Sequence, residues 1–123
     1  MISEYLNIAK QFFPEDSIHY YKNEDFYVDG DGLSPFFSHF VLLKFVSDHT
    51  LFVAPKIAIS KLEDGYELIP LSKSNKLAEN FSQFKKIGNI SLAQFTKECK
   101  NLLSKIKKAQ IEYKLKRIDN DFT

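Results

Sequence analysis

From Leu92 onward, apolar residues fall at Leu92, Phe95, Cys99, Leu102, Ile106, Ala109 and Tyr113, an unbroken three-four spacing that marks one face of a helix. The register then changes. Ile111, Leu115, Ile118 and Phe122 form a second stripe, rotated by roughly 150° at ~100° per residue. One helix cannot bury both stripes against one flat sheet. The second stripe needs a surface of its own: another part of the chain, a second copy or a partner protein. Ser91 and Gln94 have the spacing of a capping box, so the pattern predicts a long helix over 91–122.

Upstream, Ile2, Tyr5, Leu6, Ala9, Phe12 and Phe13 predict a short amphipathic helix ended by Pro14. Residues 18–22 and 26–29 read as the two strands of a hairpin turning at Asn23-Glu24-Asp25. Asp29-Gly30-Asp31-Gly32 with Ser34-Pro35 is a strong loop signal. Residues 36–46 are apolar on both alternating faces, with Phe37, His39, Val41, Leu43 and Phe45 on one side, which predicts a central strand. Residues 51–60 predict the next strand, with a bulge or sheet edge at Pro55. Glu63-Asp64-Gly65 is a turn, and 66–71 a strand closed by Pro70. Leu77, Phe81, Phe84 and Ile87 predict a further helix stopped by Gly88. The expectation is one α+β domain over 1–123: an N-terminal helix, about five antiparallel strands, and two C-terminal helices, the last one long.

Composition sharpens this picture. With 12 Phe, 6 Tyr and no Trp, much of the core volume must be aromatic. The lone Cys99 excludes an internal disulfide and suits a reducing, cytoplasmic setting. No leader pattern occurs in 1–13, and no run reaches the roughly 18 apolar residues of a membrane span. Charge is unevenly placed: residues 1–60 hold eight acids and four bases, residues 61–123 thirteen bases and eight acids. Arg117 is the single Arg among seventeen basic residues, which argues against bidentate, sequence-specific reading of DNA.

Catalytic chemistry finds little support. His19, His39, His49 and Cys99 show no metal-ligand spacing. The Asp29-Gly30-Asp31-Gly32 run lacks the flanking acids of a calcium loop, so turn chemistry is expected there. Cys99 lies on the packed face of a helix, where a thiol is inert. Asp48 and His49 are neighbours in a turn, where adjacent side chains do not face each other. The Gly residues form no phosphate-binding loop. No catalytic, cofactor-binding or metal-binding residue is expected.

Three surfaces remain. On the last helix, Lys97, Lys100, Lys107 and Lys108 cluster away from the first stripe, and Lys105 flanks the second, a ridge able to track a phosphate backbone. Tyr20, Tyr21, Phe26 and Tyr27 on the sheet are candidate stacking groups for the same ligand. Tyr20, Tyr21 and Tyr27 beside acidic turns also suit a protein contact. The stripe Ile111, Leu115, Ile118 and Phe122 suits a homodimer or a heterologous partner. The function expected is a non-catalytic protein-binding module: an inhibitor, neutralising or accessory protein of the phage, mobile-element or immunity type. The alternative is non-specific nucleic-acid binding through the Lys-rich helix.

Overall fold

The computed structural model describes residues 2–21, 25–33, 40–62 and 65–121, those at 2, 3, 62, 65 and 116–121 by backbone alone. Helix α1 runs Ile2–Phe12. The Phe13 N–H closes its last turn on Ala9 O at 2.9 Å. Pro14, which has no N–H, ends it. A single 3-10 turn, Glu15–Ser17, leads into the sheet. Strands β1 (Ile18–Tyr20) and β2 (Phe26–Asp29) pair as the expected hairpin. The turn at 22–24 lies outside the described residues, as do Phe36, Phe37 and His39 of the predicted central strand. That strand, β3, is described as Val41–Val46.

Strands β1 and β2, β3, β4 (Thr50–Val53) and β7 (Lys85–Ile87) form one antiparallel sheet in the order β1-β2-β3-β4-β7. Strands β5 (Lys56–Leu62) and β6 (Gly65–Leu71) form a separate two-stranded ribbon. The predicted single strand over 51–60 is therefore two strands in two sheets. The Ala54 N–H makes a last bond to Leu42 O at 2.9 Å. Pro55 has no N–H to continue that ladder, and the chain leaves for the ribbon. Pro70 is tolerated within β6, opposite Ile57, because a two-stranded ribbon is all edge.

The helix predicted over 77–87 is absent, so the described residues hold two α-helices rather than three. Asn80 caps only one 3-10 turn, Phe81–Gln83, by accepting from the Ser82 N–H, while Gln83 reaches back to the Asn80 N–H. Phe84 is extended, and Lys85–Ile87 pairs with β4. A short three-four pattern is weak information. Pairing the open edge of β4 outweighs it.

The register explains the core. Phe26 faces Phe45, Val28 faces Leu43, Leu43 faces Val53, and Phe45 faces Leu51, all buried on one face. Helix α2 (Leu92–Asp121) covers that face with Phe95, Cys99, Leu102 and Ile106. Helix α1 adds Tyr5, Ala9 and Phe13. Tyr5 stacks on Phe45 at 4.5 Å and meets Phe95 edge-on at 5.3 Å, and its hydroxyl donates to Ile90 O at 2.7 Å. Phe13, Phe26, Phe45 and Phe95 supply much of this core's volume. Each such ring contributes ~1.5–3 kcal/mol by leaving water.

The opposite face carries a different row. The pairs His19–Tyr27, Tyr27–Lys44, Lys44–Phe52 and Phe52–Lys86 cross the sheet in one line. Part of this outer face is roofed by residues 77–84, where Phe81 packs on Phe52 and Lys44 Nζ sits 4.8 Å above the Phe81 ring.

Candidate functional site

Helix α2 begins as predicted, with Ser91 Oγ accepting from the Gln94 N–H at 3.2 Å. Its first stripe is buried from Phe95 to Ala109, and Tyr113 ends it against Tyr66 at 4.7 Å. Leu92 is the exception: it is exposed at the helix start. The second stripe is not docked internally where it is described. Ile111 is 59% exposed and Leu115 57%. The side chain of Ile118, and Phe122 altogether, lie outside the described residues.

The lysine ridge is narrower than its sequence suggests. Lys97, Lys100, Lys107 and Lys108 are exposed. Lys105 is half-buried and belongs elsewhere. Burial holds its ammonium below the ordinary lysine range, with Glu98 pulling the other way and Lys85 adding to the depression. Glu98 itself is buried and pairs with Lys85 of β7 at 2.9 Å. Lys105 and Lys108 line one wall of an open groove of about 610 Å³, with Lys56, Asn75 and Ala58 opposite and Glu112 on the helix.

Two of the stacking groups expected to serve the ridge, Phe26 and Tyr27, are not available to it. Phe26 is fully buried in the core. Tyr27 alternates with Phe26 and Val28, so it points away from α2, onto the outer face. Tyr20 and Tyr21 are 69% and 53% exposed, and Tyr27 is half-buried between its neighbours. Tyr21 and His19 both pack on the Tyr27 ring, at 5.5 and 4.9 Å. Burial first, then the hydrogen bond with Tyr21, pushes the Tyr27 hydroxyl up to about 12.

That outer face also brings together residues the sequence left apart. His19 and Asp29 are diagonal neighbours on it, and Asp31 returns to them through the following turn. No local spacing reveals this group. Only the pairing of β1 with β2 does. Cys99 lies in the interior beneath α2. Its thiol is fully buried and pushed up to about 12, by burial and then by Glu98. Asp48 does not face His49; its carboxylate accepts from the Thr50 N–H at 3.0 Å.

No helix among the described residues is long and apolar enough to cross a membrane. Compared with models of protein families, with curated proteins and with solved structures, the chain matches none.

Proposed function

We propose that this chain is a non-catalytic protein-binding module whose contact surface is the outward stripe of α2. The observation that carries this reading is the exposure of Ile111 and Leu115 on a helix whose opposite face is anchored in the core. Two large apolar side chains held side by side in water forfeit ~1.5–3 kcal/mol each. A partner that covers them recovers this at little conformational cost, because the helix is already formed. The partner's complementary feature is an apolar helix or groove. A second copy of the chain is its simplest source, since a two-fold axis packs the stripe against itself. Exposed Tyr20 and Tyr21 supply a second contact region of the kind enriched at interfaces.

The test is a photo-crosslinking amino acid placed at Leu115 in cells producing the protein. The expected result is one discrete adduct, at twice the chain mass for a second copy, that disappears when Ile111 is changed to Asp. Absence of any protein adduct, or an adduct indifferent to Ile111→Asp, overturns the reading.

A second reading, non-specific nucleic-acid binding, is favoured by the exposure of Lys97, Lys100, Lys107 and Lys108 and by the withdrawal of Glu98 into the interior. It predicts oligonucleotide binding that weakens steeply with salt and is lost in Lys107→Glu/Lys108→Glu. Fluorescence anisotropy at low and physiological salt decides it.

A further inference from the structure

We propose that His19, Asp29 and Asp31 bind a divalent transition-metal ion of the zinc and manganese kind. One donor atom from each lies within 4.8 Å of the others. Donors about 2.0–2.2 Å from one ion stand about 3.0–3.6 Å apart at cis or tetrahedral angles, so the widest pair closes by up to about 1.5 Å on binding.

The fold builds this convergence from three places. The pairing of His19 with Tyr27 sets His19 and Asp29 diagonally on the outer face, within reach of each other. A register irregularity between Val28 and Asp29 in the pairing with β3 re-aims the end of β2. The chain then doubles back. Asp29 Oδ1 accepts from the Asp31 N–H at 3.0 Å, and the Leu33 N–H donates to Gly30 O at 3.2 Å. Gly32 takes a left-handed φ of 79°, and a Cβ there would stand 2.8 Å from the Asp16 Cβ. The buried Ser17 hydroxyl donates to Asp31 O and ties the turn to the preceding segment. The donors are therefore held before any ion arrives, which lowers the ordering cost of binding.

A second observation points the same way. His19 Nε2 is fully buried and stands 2.9 Å from Asp29 Oδ2, with Asp31 beside them. A buried ring nitrogen turned toward two carboxylates is placed as a metal ligand is placed. Asp29 is 3% exposed, so its charge is removed from water beside a second carboxylate. A cation offsets both costs more completely than one imidazole does. The Tyr27 ring stacked on His19 at 4.9 Å fixes the imidazole plane. His19 and Asp31 are half-exposed, which gives an ion entry and leaves coordination positions for water. One imidazole with two carboxylates selects against calcium, which takes six to eight oxygen ligands, and suits zinc or manganese.

The experiment is calorimetric titration of the metal-stripped full chain with Zn²⁺, Mn²⁺ and Ca²⁺, beside His19→Ala and Asp31→Asn. Circular dichroism first checks that both variants fold. The expected result is one Zn²⁺ or Mn²⁺ per chain, a raised melting temperature, and affinity reduced at least about tenfold in each variant. On binding, the His19 imidazole resonances shift in NMR spectra. No saturable binding, binding unchanged in either variant, or Ca²⁺ bound as tightly as Zn²⁺ overturns the proposal.

Discussion

Cys99 shows how completely a side chain's chemistry is decided by its surroundings. It lies on the packed stripe of α2, and its thiol is pushed up to about 12, so almost no thiolate exists near neutrality. A thiol reagent at pH 8 should leave the native protein unlabelled and modify one thiol per chain in denaturant, read by absorbance. Lys105 makes the opposite case for a base. Burial lowers its affinity for a proton in the folded state. Between that lowered value and the ordinary lysine value of about 10.4, the unfolded chain holds more protons than the native one. Stability from this group therefore rises with pH through that window, and the full cost stands below it. Lys105→Met should melt higher than the parent at pH 7, and the gap should narrow as pH approaches 10, followed by urea unfolding. The environment of Cys99 was legible from its stripe. That of Lys105 was not, because its depression comes from burial and then from Lys85, against the pull of Glu98, and Lys85 belongs to β7, a strand that reads as helix in the sequence. His19 was illegible for a related reason: its neighbours are chosen by strand pairing, which sequence spacing does not record.

At the scale of single elements, α2 displays two faces with opposite tolerances. Leu102→Ala, on the buried stripe, should destabilise the protein by ~2–5 kcal/mol in denaturant unfolding. Leu115→Asp, on the exposed stripe, should change the stability of the isolated chain by no more than ~0.5 kcal/mol while removing any association seen by sedimentation. Ser91→Ala should cost ~1 kcal/mol through the lost cap. These elements were readable because each carries a long, consistent period and a chemical start signal. The α1 boundary was readable from Pro14, and the β1–β2 hairpin from its flanking turn residues. The segment 77–87 was not. Four apolar residues in eleven positions fit a helix, but Asn80 starts a turn that cannot propagate, and β4 offers backbone partners that a helix would leave unpaired. Likewise, Pro55 marked a disturbance without saying that the chain there changes sheets.

Across the whole molecule, the acidic and basic parts of the chain do not pair with each other in the ion pairs found among the described residues. His19–Asp29 lies within the first part and Lys85–Glu98 within the second. Among the described residues, the lysine-bearing helix α2 covers one face of the sheet, and Tyr27 and Asp29 of β2 lie on the other. The His19–Asp29–Asp31 cluster lies on the sheet face away from α2, the helix that carries Ile111 and Leu115. Strand β7 docks beside β4 only after the chain has gone out through the β5–β6 ribbon and returned, joining Leu51 to Ile87. Closing so long a loop costs entropy that no local contact returns, so contacts of this kind form late. The hairpins and the ribbon can assemble from neighbours in sequence, whereas the last strand must wait for all of them. In pulse-labelled hydrogen exchange during refolding, the amides of Lys85–Ile87 should gain protection after those of β3 and β4. Until then β4 stands open at its edge, and it is in that interval that the chain is most prone to pair with another copy of itself.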